Sequence, residues 1–289
     1  MPIIEPVIRP PSEAESFFLQ VTTGCSSNHC TFCGAYQGKP FRIKSKSEIR
    51  RDIKRQAEIY PEIRRVFLMD GDALVIGNNK LVPILKMLNE EFPKLTRISS
   101  YANGYNIVHR TEEELRRLYA LKLRLVYIGL ESGNQQILDL CNKKSTAIEM
   151  ISAVRELSRA DIKSSVIVLL GLGGRKFSQQ HVRDTIIALN QMQPRYLSFL
   201  SLMLIPGTPL HKDACVGKFE ELTAEELLQQ AHDIIKGLEL KKTIFRSNHA
   251  SNHLALEGRF PSDKEQLLDN FRMALAGEAV LRPEWGRGL

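Results

Sequence analysis

Short apolar runs alternate along this chain with longer stretches whose apolar residues recur at helical spacing, and that alternation restricts the fold more than any other feature. The runs are Phe17-Phe18-Leu19-Gln20-Val21, Val66-Phe67-Leu68-Met69, Arg97-Ile98-Ser99-Ser100, Leu125-Val126-Tyr127-Ile128-Gly129-Leu130, Val166-Ile167-Val168-Leu169-Leu170 and the stretch from Tyr196 to Leu204. Near-continuous apolar strands are covered on both faces, and parallel neighbours need the long crossovers that helices supply. Helix-start signals with a hydroxyl followed three residues later by glutamate include Thr111 with Glu114, Thr146 with Glu149, Thr223 with Glu226 and Ser262 with Glu265. In each pair the hydroxyl accepts a free backbone N–H while the carboxylate reaches back. The expectation is an α/β chain: a barrel-like sheet of about six β/α units over residues 17–210, a short N-terminal extension over 1–16, and a mainly helical extension over 211–289.

A Rossmann-type sheet also fits the alternation, but no Gly-x-Gly-x-x-Gly follows the first strand and no Gly-Lys-Ser/Thr occurs. A composition of 43% hydrophobic and 25% charged residues is that of a globular protein and excludes a disordered one. No apolar run is long enough to span a membrane, and Met-Pro-Ile-Ile-Glu-Pro lacks the basic start of a signal peptide, so a cytoplasmic location is expected. Lys and Arg total 40 against 33 Asp and Glu, a net charge of +7. Much of that excess lies between Lys39 and Arg65, where Ile49, Ile53 and Ala57 at helical spacing point to the solvated basic face of an amphipathic helix. The rival for this stretch is a nucleic-acid-binding face.

Three of the five cysteines, Cys25, Cys30 and Cys33, follow the first strand at C-x4-C-x2-C spacing, while Cys141 and Cys215 stand alone. In a reducing compartment such clustering argues for a metal site over disulfides. Three thiolates with a fourth position open suit a [4Fe–4S] cluster in which one iron lacks a protein ligand. Zinc completed by His29 is the competing reading, in a non-enzymatic module with a basic nucleic-acid-binding face. It is strained because His29 directly adjoins Cys30. Cys141, after Leu138 and Leu140, reads as packed rather than ligating.

The cysteine loop with Phe32 before its third cysteine, Gly129-Leu130-Glu131-Ser132-Gly133, and Pro206-Gly207-Thr208-Pro209-Leu210 together resemble the radical S-adenosylmethionine (SAM) superfamily, notably the core of its tRNA-modifying and haem-biosynthetic branches. The chain departs from most members by one extra residue between the first two cysteines. The resemblance implies a partial (β/α)6 TIM-like barrel, a [4Fe–4S] cluster on Cys25, Cys30 and Cys33, and S-adenosyl-L-methionine as the second cofactor. It further implies reductive cleavage of SAM to a 5′-deoxyadenosyl radical that removes hydrogen from an unidentified substrate. A one-electron reductant of the flavodoxin or ferredoxin type then becomes a partner, and a small-molecule substrate is favoured over nucleic acid.

Asp70-Gly71-Asp72 is similar to the family's Gly-Gly-Glu motif, which implies that Gly71 and Asp72 face the SAM ammonium. Glu131 matches the family glutamate that binds the ribose or methionine end of SAM, with Ser132 beside it. Barrel ligands sit at the C-terminal ends of strands, which adds Ser100 in the polar run Ser99 to Gly104 and Gly171 in Leu170-Gly171-Leu172-Gly173-Gly174; Ile205 would pack on adenine. Two Ser-Asn-His triplets lie between Phe245 and His253. Because members place substrate at the open face of the barrel, covered by residues beyond the sixth strand, Arg246, Asn248, His249 and Asn252 are expected to contact it. No residue is assigned a catalytic proton or hydrogen transfer.

Overall fold

The computed structural model describes residues 3–288, which divide into two compact units. The first comprises the chain up to His29, Cys33–Ile128 and Glu156–Ser164; the second comprises Cys30–Phe32, Gly129–Arg155 and the chain from Ser165 onward. The strands belong to one eight-stranded, mostly parallel sheet, here β1 (Phe17–Leu19), β2 (Arg65–Leu68), β3 (Arg97–Tyr101), β4 (Leu123–Glu131), β5 (Lys163–Leu170), β6 (Tyr196–Ser201), β7 (Ile244–Arg246) and β8 (Glu257–Arg259).

In the first unit β1 pairs with β2, β2 with β3 and β3 with β4, all parallel, with a register shift between Ile98 and Ser99. Val66, Phe67, Ile98, Val126 and Ile128 are fully buried, as strands covered on both faces must be. The covering helices are α1 (Lys46–Ile59), α2 (Asn78–Glu91) and α3 (Glu112–Ala120). On α1 only Ile49, Asp52 and Ile53 are buried, so Arg50, Arg51, Lys54 and Arg55 form the expected solvated basic face. A short antiparallel pair, Thr22–Thr23 with Arg42–Ile43, brackets the cysteine loop. The N-terminal segment is fastened by Glu13, fully buried, whose carboxylate accepts from Arg97 at 2.9 Å and from the Tyr127 hydroxyl at 2.7 Å.

In the second unit β5 pairs with β6 and β6 with β7, both parallel, and β8 returns antiparallel to β7. Helices α4 (Ala147–Arg159), α5 (Ser178–Met192), α6 (Ala224–Gly237) and α7 (Lys264–Leu275) follow the chain order, with α6 packed on both α5 and α7.

The six expected strands form at the expected places, and Thr111, Thr146 and Thr223 cap their helices with the returning glutamate. One expectation is corrected. Ser262 does not cap α7: its hydroxyl donates back to the Arg259 carbonyl and to Asp263, and the N-cap is Asp263, with no side-chain cap bond. The C-terminal extension is mainly helical, as expected, and contributes two short strands, β7 and β8, which hydropathy missed because three residues are too few to show a period. Beyond α7 the chain turns back through a 3-10 turn, Glu284–Gly286, and is strapped to loop 249–252 by arginines. Arg282 donates to the His249, Ala250 and Asn252 carbonyls, and Arg287 to the Ser251 and Leu202 carbonyls.

Candidate active site

In the first unit, the C-terminal end of β2 grips the start of the cysteine loop. Asp70 sits at φ +67°, fully buried, and its carboxylate accepts from the Gly24 amide at 2.8 Å and pairs with Lys39 at 2.9 Å. Gly71 donates its amide to the Gly24 carbonyl. Asp72, also fully buried, accepts from the Ser26 hydroxyl at 2.6 Å and from the side-chain amides of Asn103 and Asn106. Residues 24 and 26 are thus both held, and Cys25 lies between them. Gly71 leaves the room this needs: a Cβ there would stand 2.7 Å from the Cys25 Cβ and 2.8 Å from its Sγ. Gly24, at φ +72°, is likewise constrained, since a Cβ would meet the Lys39 carbonyl at 2.9 Å.

Burial lifts both carboxyls above their ordinary range. Lys39 and the Gly24 amide pull Asp70 back toward ionisation, and Ser26, Asn103 and Asn106 do so for Asp72. Lys39 also donates to the Ile4 and Pro6 carbonyls, so its ammonium is satisfied on three sides. The same ion pair therefore joins Gly24, before the first cysteine, to Lys39, after the third. At the end of β3, Ser100 is buried and donates to its neighbour's carbonyl at Tyr101. Arg110 donates to the Leu74 and Ile76 carbonyls, holding the turn after Asp72.

In the second unit, Cys30–Phe32 is pinned by its backbone: the Thr31 amide donates to the Cys141 carbonyl, and the Leu210 amide to the Thr31 carbonyl, each at 3.0 Å. Phe32 packs against Ile137, Cys141, Leu172, Leu202 and Leu210. Cys141 is buried, and burial pushes its thiol up to about 11, which suits a packed and unreactive side chain. At the end of β4, Glu131 takes φ +61° and pairs with Lys143 at 3.0 Å. Its carboxylate lies over Gly129, where a Cβ would stand 2.1 Å from Oε1.

Ser132 is turned the other way. Its hydroxyl meets His181 Nδ1 of α5 at 2.9 Å and accepts from the Asn134 amide. The Gly133 amide donates to Thr185, and a Cβ on Gly133 would meet the Asp184 carbonyl at 2.2 Å. The Gly171 amide is taken by Gln230 at 2.7 Å, and the Ile205 carbonyl by the amide and hydroxyl of Thr208, so both backbones serve the fold. Since β7 runs parallel to β6, the segment after Arg246 lies at the C-terminal end of β6. There the Asn252 amide donates to the Phe199 and Ser247 carbonyls and its oxygen accepts from Ser201, so this side chain is fully engaged as a brace. His249 exchanges hydrogen bonds with Ser251, Asn248 is exposed and Arg246 half-buried.

None of the five cysteines is in a disulfide, and Cys25, Cys30 and Cys33 are each partly exposed. Among the described residues no three His, Cys, Asp or Glu side chains are gathered around one point to hold a single ion, and His29 is exposed. A four-iron cube takes one thiolate per iron. Three partly exposed thiols and the cradle at Gly71 fit it. Asp70, Lys39, Asn103, Asn106, Lys143 and His181 were not singled out from sequence. Only Asp70 and Asn103 carried a signal there, as neighbours within the polar runs at the ends of β2 and β3.

Among solved structures, methylornithine synthase (PylB) matches with a TM-score of 0.56 at 14% identity, over 89% of this chain and 68% of that one. The radical S-adenosylmethionine methyltransferase TsrM from Kitasatospora setae, with cobalamin and a [4Fe–4S] cluster bound, matches at 0.56 and 18%, over 70% of this chain and 40% of that one. Coproporphyrinogen III oxidase (HemN) from Escherichia coli, described as a radical SAM enzyme, matches at 0.54 and 15%, over 76% of this chain and 50% of that one. The chain thus spans less than two thirds of the length of the last two. These likenesses establish the fold, a partial TIM-like barrel. No curated protein matches. The family model of the radical SAM superfamily matches residues 19–188, well over half of the sequence, and the chain belongs to that superfamily.

Proposed function

We propose that the chain is a radical SAM enzyme in which Cys25, Cys30 and Cys33 hold a [4Fe–4S] cluster, with Asp72 and Glu131 holding SAM. When bound and reduced, that pair of cofactors supplies a 5′-deoxyadenosyl radical that takes hydrogen from substrate. The carrying observation is the grip of Asp70-Gly71-Asp72 on Gly24, Cys25 and Ser26, which presents the first thiol with its backbone fixed from both sides. Asp72 and Glu131 would accept from the cofactor's ammonium and hydroxyls. Lys143 orients Glu131, and Asn103 and Asn106 orient Asp72. Arg246, Asn248 and His249 are proposed substrate contacts, with Asn252 holding their loop. The reading calls for a flavodoxin- or ferredoxin-type donor and favours a small substrate; no described helix is long and apolar enough to cross a membrane.

The test is anaerobic reconstitution with iron and sulfide, followed by dithionite and SAM. The wild type should turn brown, bind about one cluster and form 5′-deoxyadenosine. Alanine at Cys25, Cys30 or Cys33 should remove most of the iron while Cys141→Ala keeps it. Equal iron in all four variants sinks the assignment.

A further inference from the structure

The side chain of Tyr36 is buried, 4% exposed, three residues beyond the last cysteine of the loop. Its ring edge and the Cys25 thiol line the same small space, since a Cβ on Gly71 would stand 3.1 Å from Tyr36 Cε2 and 2.8 Å from Cys25 Sγ. Lys39 Nζ lies 5.5 Å from the ring centroid, and the Tyr36 carbonyl accepts from the Asn28 side chain at 2.9 Å and from the Lys39 amide at 3.1 Å. The residue is therefore fixed from its backbone and from its ring. Its hydroxyl is nevertheless buried without a hydrogen-bond partner among the described residues. Buried donors are nearly always satisfied, so an unmet one marks a place where a further group belongs. The titratable groups around it are Asp70, Tyr101, Cys25 and Cys33. The Asp70 oxygens are already taken by the Gly24 amide, Lys39 and Gln20.

We infer that the Tyr36 hydroxyl donates a hydrogen bond to a sulfur of the cluster held by Cys25 and Cys33, and so sets how easily that cluster is reduced. This rests on the proposed function. A donor to thiolate or sulfide stabilises the more negative, reduced state and raises the reduction potential. Tyr36 is thus a positioning and tuning residue, and it moves no proton in the reaction.

Tyr36→Phe keeps the ring over Gly71 and removes only the hydroxyl. Two readouts on the full chain decide the matter. The apo variant should melt at or above the wild-type temperature, because no hydrogen bond within the protein is lost. The cluster-loaded variant, titrated electrochemically and followed by electron paramagnetic resonance without SAM, should show a midpoint potential more negative than wild type at equal iron content. An unchanged midpoint overturns the inference, and so does an unchanged midpoint with weakened SAM binding, which would assign the hydroxyl to the nucleoside ligand. A normally folded variant that takes up no iron also overturns it, since the hydroxyl would then serve assembly. Failure of the wild type itself to take up a cluster is a different result and counts against the proposed function.

Discussion

At the scale of single residues, two buried groups carry measurable consequences. His181 is fully buried against Ser132, and burial pushes its imidazole down to about 4 from an ordinary 6.5. Its folded pKa is depressed, so the unfolded chain binds the proton first as pH falls. The stability it contributes is complete above about pH 6.5 and is lost progressively down to about pH 4. Denaturant titrations of wild type and His181→Gln should therefore converge as pH falls from 7.5 to 5, by about 2 kcal/mol. A constant gap would mean that His181 is not held neutral.

The Lys39–Asp70 pair is the second case. Asp70→Asn leaves an ammonium buried without its counter-charge, a loss on the order of 3–5 kcal/mol by chemical denaturation. Adding Lys39→Met should recover most of it. The aspartate was visible in sequence as part of a strand-end motif. Its partner was not, because the 30 residues between Lys39 and Asp70 hide a contact that only the fold creates.

Elements explain why the strands and three of the caps were legible while the ends of strands were not. A run such as Val166 to Leu170 reports its own burial, and a hydroxyl three residues before glutamate reports its own cap. Ser262 had the right spacing and the wrong geometry, its hydroxyl being spent on the Arg259 carbonyl behind it. Ser132, Gly171 and Ile205 sit at the expected strand ends, yet their hydroxyl, amide and carbonyl are taken by α5, α6 and Thr208. Position within a motif does not reveal which way an atom faces. Gly71 is a different case, because its missing side chain makes room for the Cys25 thiol. Gly71→Ala forces a methyl into the Cys25 thiol, so the purified variant should fold with a wild-type circular dichroism spectrum yet retain little iron after reconstitution. Full iron content would mean that the loop yields freely.

For the molecule as a whole, the sequence suggested a barrel over residues 17–210 covered by a mainly helical extension over 211–289. The structure adds β7 to β6 in register, Leu197 opposite Phe245, and sets Phe245, fully buried, 4.9 Å from the ring of Phe199. A fragment ending at Leu210 would leave β6 as an open apolar edge. We expect it to be insoluble, and limited proteolysis of the full chain to yield no stable core ending near 210. A soluble, iron-binding fragment would mean that the barrel does not need the extension.

The arginine strap at the end of the chain has an optical corollary. Trp285, 89% exposed, is the one tryptophan in the sequence, so selective indole emission comes from this turn alone. Arg282 and Arg287 tie the same turn to loop 249–252, which includes His249, one of the proposed substrate contacts, and directly follows Asn248. The molecule therefore has a native fluorophore beside that loop. A ligand that orders or displaces the loop should shift its emission, which gives a label-free way to screen small molecules before any turnover is known.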